Sequence, residues 1–256
     1  MFSFEHLKSL IDNYYLTFLN GLAATLILAI VGTAVGLVIG VLLAFVRNME
    51  IKITDNPFIK GLKHFGKAIV ACYVNFFRGT PMMVQAMIIF FMTSIWTSMS
   101  SVWIFNGYLL CGLIVITINT GAYMCEIVRS GFNGVDKGQI EGARSTGMSY
   151  FQTMIYVVAP QGLKNSIPTI LNEYIVNVKD SSVLNVIGLT ELYASVSIAT
   201  NRNYFKVEGY VIIAIIYLIL TLLASFIVKL ISRKLNGQKL IVSPFKHYKP
   251  TLKEID

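Results

Sequence analysis

The sequence is poor in charge, and this shortage excludes most soluble classes of protein. Only 13% of the 256 residues are charged, about half the usual share in a soluble domain, whose outer faces must be solvated. The 21 lysines and arginines are too sparse between long apolar runs to form a nucleic-acid-binding face. Hydrophobic residues make up 55% of the chain. The composition indicates a polytopic membrane protein with one domain over residues 1–256.

Cysteine and histidine are scarce as well, which argues against disulfides and metal sites. Cys72, Cys111 and Cys125 lie in or beside apolar stretches, where free cysteines are usually buried. The histidines fall outside the apolar runs, so no intramembrane histidine site can form. We expect no metal ion in the chain. The N-terminus also lacks the pattern of a removable signal peptide.

The apolar residues are grouped into stretches long enough to cross a bilayer. A transmembrane helix needs about 20 residues to span the ~30 Å hydrocarbon core. The uncharged run from Gly79 to Cys125 is too long for one span and fits two, separated by a polar, aromatic break. We predict an all-α fold with five spans, at residues 18–46, 81–98, 107–128, 166–189 and 208–230.

The distribution of positive charge predicts the orientation of these spans. With the N-terminus outside, 17 lysines and arginines fall on inner segments. Only Lys8, Arg202 and Lys206 fall on outer segments, and Lys179 remains inside a span. Because inner loops carry the excess of positive charge, we expect the N-terminus outside and the C-terminus in the cytoplasm.

Two further patterns concern packing and nucleotide binding. Gly32, Gly36 and Gly40 recur every four residues in the first span and predict close contact with another helix. Residues 61–68 come within one residue of a phosphate-binding loop, but Ala68 replaces the hydroxyl residue that would bind Mg²⁺. We therefore expect no nucleotide site here, and a basic amphipathic connector along the inner leaflet.

The inner loop, residues 131–165, carries the most specific pattern. Lys137 to Ser145 can form a short helix, and Gly147 supplies the permissive backbone for a sharp stop. A helix this short is unstable alone and makes sense if it docks into a groove of a partner. The alternative is a plain solvated loop.

The same loop supports a resemblance to a known family. Glu141-Gly142-Ala143, then Gly147 after three residues, then residues 157–160 (VVAP), resemble the E-A-A-x-x-x-G and I-x-L-P signature of the membrane subunits of bacterial ATP-binding-cassette (ABC) importers. Gly142 and Ala159 depart from it, both as small apolar replacements. Residues 77–85 (FRGTPMMVQ), 122–129 (AYMCEIVR) and 178–184 (VKDSSVL) are similar to motifs of the permeases for polar amino acids, and the similarity covers about residues 17–235.

This resemblance implies a type I ABC importer permease fold and a mechanism divided among subunits. The chain itself would need no cofactor and would not be an enzyme. Two permease chains, identical or homologous, would form a pathway in the bacterial plasma (inner) membrane. Two ABC ATPase subunits would hold ATP and Mg, and an extracytoplasmic amino-acid-binding protein would deliver the substrate. The residues implied in coupling to the ATPase are Gln139, Glu141, Gly142, Ala143, Gly147 and Met148.

Ionisable residues inside spans suggest where the substrate passes. Each costs about 2.5–3.5 kcal/mol on insertion scales, so these residues should avoid lipid. We expect breaks at Pro168 and at residues 179–182, where exposed backbone groups could bind a zwitterion. The expected pathway residues are Asn119, Tyr123, Glu126, Asp180, Ser181 and Ser182.

The motif Arg78-Gly79-Thr80-Pro81 can bend the chain where it enters the bilayer. Pro81 biases Thr80 away from helix, and Gly79 frees the backbone. We expect a gate or hinge here, with a plain helix start as the alternative.

Other interpretations remain open from the sequence alone. Lys179 and Asp180 could simply neutralise each other or a neighbouring chain. An intramembrane enzyme could use Glu126 and Asp180, and a secondary transporter could work without ATP.

Overall fold

The computed structural model describes residues 3–92, 95–99 and 106–236, with the backbone alone for residues 233–236. The described residues form helices joined by short turns, so the expected all-α fold class is confirmed. The α-helices are α1 (Phe4–Asn48), α2 (Pro57–Gly79), α3 (Met82–Phe91), α4 (Ile95–Ser98), α5 (Gly107–Asn133), α6 (Lys137–Ser145), α7 (Tyr150–Thr153), α8 (Ala159–Asp180), α9 (Leu192–Asn203) and α10 (Lys206–Asn236). A π-helical turn, Met154–Val158, precedes α8, and a 3₁₀ helix, Ser181–Ile187, follows it.

The described helices allow three membrane crossings, or up to five, the expected number. By length and apolar composition, α1, α5 and α10 can each cross a membrane. Two further crossings arise if each of two bent units is counted as one span. The first unit joins α2 and α3 at an angle of 107°, and the second joins Tyr150–Ile187 to α9 at 54°. Residues 93–94 of the expected second span, and the tail lysines beyond Asn236, lie outside the described residues.

The glycine strip of α1 packs against α5, as its spacing predicts. Gly32, Gly36 and Gly40 are buried, and they face Ile116, Thr120 and Met124 of α5. A methyl group added at Gly40 would lie 2.4 Å from Met124 Cβ and 2.7 Å from the Met124 carbonyl carbon. Such distances exclude any side chain, so the two helix backbones approach closely because these positions are glycine.

A buried asparagine ties α8 to this helix pair. Asn177 Nδ2 donates to Thr33 Oγ1 of α1 at 2.8 Å. Thr120 Oγ1 of α5 donates to Asn177 Oδ1 at 3.1 Å. Both hydroxyls and the amide are thereby satisfied away from water, which a buried polar group requires.

A buried glutamate holds α9 against α1 and α10. Glu191 is fully buried and caps α9, accepting hydrogen bonds from the backbone amides of Tyr193 at 2.9 Å and Ala194 at 2.8 Å. The hydroxyl of Tyr217 on α10 donates to Glu191 Oε2 at 3.0 Å, and that of Thr25 on α1 donates at 3.4 Å. These donors offset the cost of burying the carboxylate.

The structure corrects two expectations. Helix α8 continues through Pro168, so the predicted break at this residue is wrong. Proline removes only its own N–H from the ladder, and packed neighbours tolerate that within a membrane helix. Cys111 and Cys125 are buried, but Cys72 is exposed because, of the residues of α2, only Val70 and Val74 are buried.

Candidate coupling loop and substrate cavity

The predicted short helix of the inner loop is present as α6, and its ends follow from local sequence. Asp136 is its N-cap, and Asp136 Oδ1 accepts from the Gln139 amide at 3.3 Å. At the other end, the amides of Gly147 and Met148 donate to the Arg144 and Ala143 carbonyls at 3.1 and 3.3 Å. Gly147 has a φ of +87°, a left-handed conformation that glycine adopts without strain.

Helix α6 is displayed on the surface of the chain. None of its residues is buried. The implied coupling residues Gln139, Glu141, Gly142 and Gly147 are exposed, and Ala143 and Met148 are partly buried. A methyl group added at Gly142 would meet nothing within 4 Å, so this face leaves room for a partner. A nine-residue helix without buried side chains gains little from its own chain, which fits a docking element.

Three contacts attach α6 and the segment after it to the rest of the chain. Ile140 packs on a cluster that includes Phe132 and Val158. Arg144 Nη1 lies 3.3 Å from Glu50 Oε2, beyond the end of α1. The Tyr150 hydroxyl donates to the backbone carbonyl of Asn48, the last residue of α1.

The chain bends where the Arg78–Pro81 motif predicted a hinge. Helix α2 ends at Gly79, Thr80 has an extended backbone, and α3 begins after Pro81 at 107° to α2. Gln85 braces this bend, since its Nε2 donates to the carbonyls of Phe77 and Thr80, each at 3.0 Å.

Helix α5 reaches the same brace. Asn119 Nδ2 donates to Gln85 Oε1 at 2.9 Å and to the Phe77 carbonyl at 3.2 Å. Gln85 is only 3% exposed, and it was not among the expected site residues although it closes the FRGTPMMVQ motif. A lone glutamine at the start of an apolar run is the signal that could have identified it. Hydrogen bonds to a neighbouring span therefore hold the bend in this conformation.

A cavity of about 360 Å³ lies beside the bend. It brings together three of the expected pathway residues with two of the hinge motif. Its lining is Thr80, Pro81, Met82, Asn119, Tyr123, Glu173, Val176 and Asp180. Glu173, about two turns before Asp180 on α8, was not among the expected pathway residues. The cavity therefore presents two carboxylates beside an amide and a phenol, groups that can bind an ammonium group.

A second cavity of about 580 Å³ lies towards the loop and is rich in arginine. Arg78, Glu126 and Arg129 line it together with polar residues of α8. Glu126 accepts from Arg129 at 2.8 and 3.0 Å and also pairs with Arg47 of α1. The Arg78 guanidinium carbon stands 5.3 Å from the centre of the Tyr123 ring, between the two cavities.

The remaining expected pathway residues lie next to the first cavity but do not line it. Ser181 is buried and donates to the Val178 carbonyl at 2.9 Å. Ser182 is partly exposed and donates to the Lys179 carbonyl at 2.7 Å. Both bonds run back to residues three positions earlier, because the chain narrows to a 3₁₀ helix at Ser181.

The carboxylates are not arranged as an acid/base pair. Glu126 lines the arginine-rich cavity and Asp180 the acidic one. Within the described residues, no ion pair within 4.0 Å joins Lys179 to Asp180. The geometry thus favours neither the enzyme interpretation nor a direct neutralisation of Asp180.

Comparison with known proteins supports the resemblance read from the loop. Residues 36–237 match the family described as binding-protein-dependent transport system inner membrane component. The arginine transport system permease protein ArtQ of Bacillus subtilis (strain 168) is 33% identical over 221 residues, covering 86% of this chain and 92% of that protein. The glutamine transport system permease protein GlnP of Escherichia coli (strain K12) is 30% identical over 218 residues, covering 85% and 92%.

Solved structures share the same architecture. A crystal structure of an amino acid ABC transporter with histidines matches with a TM-score of 0.75 at 31% identity, covering 91% of this chain and 99% of that one. An inward-facing structure of the MetNI methionine ABC transporter matches with a TM-score of 0.62 at 20% identity, covering 87% and 95%. The second likeness concerns the fold alone.

Proposed function

The chain belongs to the family of binding-protein-dependent transport system inner membrane components, and we propose that it is the permease subunit of an ATP-driven importer of polar amino acids. The observation that carries this proposal is α6, an exposed helix without buried residues that connects two spans. The relatives named as arginine and glutamine permeases support an amino acid as the substrate.

The proposed mechanism divides the work among subunits. Two permease chains form the pathway, and each inserts its α6 into one of two ABC ATPase subunits, where ATP and Mg bind. An extracytoplasmic binding protein delivers the amino acid to the outer face. Closure of the ATPase subunits draws the two α6 helices together and turns the spans outward, a rigid-body form of alternating access. Gln139, Glu141, Gly142 and Ala143 contact the ATPase, and Gly147 with Met148 forms the turn that holds α6 in place.

The membrane orientation is part of the proposal. The N-terminus lies outside and the C-terminus in the cytoplasm, because most lysines and arginines then lie on the inner side. Under this orientation α6 faces the cytoplasm, where the ATPase subunits are. A cysteine introduced at Ser145 should react with an impermeant thiol reagent only after the membrane is opened. Labelling from the outside of intact cells would contradict the orientation.

The acidic cavity is the proposed substrate pathway. Asp180 and Glu173 face the ammonium group of the amino acid, and Asn119 and Tyr123 supply hydrogen bonds. The arginine-rich cavity, which contains Glu126, lies on the cytoplasmic side and accepts the carboxylate as the substrate leaves. Ser181 and Ser182 follow Asp180 in the 3₁₀ helix and shape the wall.

The hinge motif is the proposed gate between the two cavities. Arg78 faces the Tyr123 ring and lines the arginine-rich cavity, while Thr80 and Pro81 line the acidic one. Gly79 is the last residue of α2, and a methyl group added there would meet nothing within 4 Å. A change in the bend between α2 and α3 would therefore open or close the passage.

The coupling assignment and the pathway assignment need separate tests. For coupling, we expect the ATPase subunits to co-purify with the unmodified chain. They should be lost when α6 is replaced by a glycine-serine linker of equal length. Retained ATPase subunits and normal transport after that replacement would contradict it. For the pathway, Asp180→Asn should reduce uptake and substrate-stimulated ATP hydrolysis while assembly is preserved. Unchanged uptake and unchanged stimulation of ATP hydrolysis would contradict the assignment of Asp180 to the pathway.

A further inference from the structure

The end of α1 is fastened to the coupling loop by a salt bridge between residues far apart in the chain. Arg144 Nη1 on α6 lies 3.3 Å from Glu50 Oε2, which is 94 residues earlier in the sequence. Close by, the Tyr150 hydroxyl donates to the Asn48 carbonyl. These two contacts lie on either side of the turn that follows α6.

Glu50 is held in place by its backbone, so its carboxylate is presented to the loop. Lys63 Nζ on α2 donates to the Glu50 carbonyl oxygen at 2.9 Å and to Asp55 Oδ2 at 2.6 Å. The hydrogen bond from Lys63, together with that from the Lys52 amide, holds the pKa of Asp55 below its usual value, so this anchor stays charged at neutral pH. Glu50 thus joins the end of α1, helix α2 and helix α6.

From the end of α1, packed contacts continue to the acidic cavity. Arg47 in the last turn of α1 pairs with Glu126 of α5. Gly40 of α1 packs against Met124 of α5, and α5 also carries Tyr123 into the cavity wall. A displacement of α6 that moves Glu50 therefore acts on the end of α1, and α1 packs against α5, which forms part of the cavity wall.

The salt bridge itself is suited to change during a cycle. The side chains of Arg144 and Glu50 are 38% and 40% exposed. An ion pair so open to solvent contributes little to folding stability, and it can therefore form and break at small cost. Any effect of the pair is therefore expected on the position of α6 and not on folding stability.

We propose that Glu50 and Arg144 are a positioning pair, which orients the coupling helix towards the ATPase subunit and passes the displacement of that helix to α1. This inference rests on the proposed function, because it takes α6 to be the coupling helix. Neither residue is assigned a contact with substrate or nucleotide.

A charge-swap experiment tests the pair. The variants are Glu50→Arg, Arg144→Glu and the double swap, each assembled in nanodiscs with the ATPase subunits and the binding protein. Each single swap should lower the substrate-stimulated ATPase rate about two- to fivefold, the range of an exposed ion pair, with the ATPase subunits still bound. The double swap should restore the rate. Lys60→Glu is the matched control, because the Lys60 side chain lies near the same connector and donates to the Ile53 carbonyl at 2.6 Å instead of to Glu50 or Arg144.

The possible results separate this inference from the proposed function. The positioning pair is overturned if the single-swap variants show normal substrate-stimulated ATP hydrolysis. It is also overturned if the double-swap variant hydrolyses ATP as slowly as the slower single-swap variant. Absence of ATPase subunits from the unmodified complex overturns the proposed function instead. If a reversed charge prevents assembly, Glu50→Gln and Arg144→Gln replace the swaps. Their losses should not add in the double variant, and additive losses overturn the pair.

Discussion

Replacing Gly40 by alanine should destabilise the chain because the new methyl group meets backbone atoms. It would lie 2.7 Å from the Met124 carbonyl carbon and 2.8 Å from the Cys125 amide nitrogen, and no rotamer change can move these atoms. Overpacking of this kind costs about 1–3 kcal/mol, and a backbone contact belongs at the upper end. Alanine regains up to about 1 kcal/mol of helix propensity, so we expect a net loss of about 2 kcal/mol.

The assay is thermal unfolding of the purified chain in nanodiscs, followed by tryptophan fluorescence. A loss of about 2 kcal/mol corresponds to a fall in Tm of roughly 4–8 °C for a domain of this size. Gly61→Ala is the matched control, because a methyl group there meets nothing within 4 Å and lies within helix α2. That control should leave the Tm unchanged or raise it slightly.

A second substitution on α5 distinguishes side-chain clashes from backbone clashes. At Gly32 the added methyl meets Ile116 Cγ2 at 1.9 Å, and Ile116→Ala removes that atom. The cost of Gly32→Ala should therefore fall in the Ile116→Ala background. At Gly40, Met124→Ala keeps the Cβ that lies 2.4 Å away, so the two costs should add. A Gly40→Ala protein as stable as the unmodified chain, or one rescued by Met124→Ala, would refute the helix packing described here.

Three other substitutions test the loop, the buried carboxylate and the bend. Gly147→Ala should cost about 1–2 kcal/mol in the left-handed turn and weaken substrate-stimulated ATP hydrolysis, whereas Gly147→Asn should have a milder effect. Equal stimulation in both variants would contradict the role of the turn. Glu191→Ala should lower stability by at least about 2 kcal/mol, since it removes a helix cap and the carboxylate that accepts from the Tyr217 hydroxyl; a Tm unchanged relative to Glu191→Gln would count against this. Gln85→Leu should reduce uptake and Tm together, because Asn119 loses one of its two acceptors and the carbonyls of Phe77 and Thr80 lose the Gln85 amide donor; normal values for both would show that the brace is dispensable.

Features encoded by neighbouring residues were predictable from the sequence. Lys137 to Ser145 form the expected helix, because a capping aspartate precedes it and Gly147 ends it. The four-residue spacing of glycines in α1 likewise predicted its packing face, since every fourth residue lies on one side of a helix. The bend at Gly79 to Pro81 follows from the backbone preferences of these residues.

Features that depend on distant residues were not predictable in this way. Asn177 and Thr33 are 144 residues apart, and Glu191 and Thr25 are 166 apart, so no local pattern reveals either contact. For the same reason, the sequence could not show which of the expected pathway residues line the cavity. Asp180 reaches the cavity, but the hydroxyl of the adjacent Ser181 turns to a backbone carbonyl because the 3₁₀ helix places one within reach.

The central claim, that this chain carries an amino acid only when ATP is hydrolysed by partner subunits, can be measured directly. The chain would be reconstituted in proteoliposomes with the ATPase subunits and the binding protein, and uptake of labelled arginine and glutamine followed. We expect uptake that requires hydrolysable ATP on the side where α6 is exposed and that stops with a non-hydrolysable analogue. Uptake that continues on an ion gradient while ATP hydrolysis is blocked would contradict it.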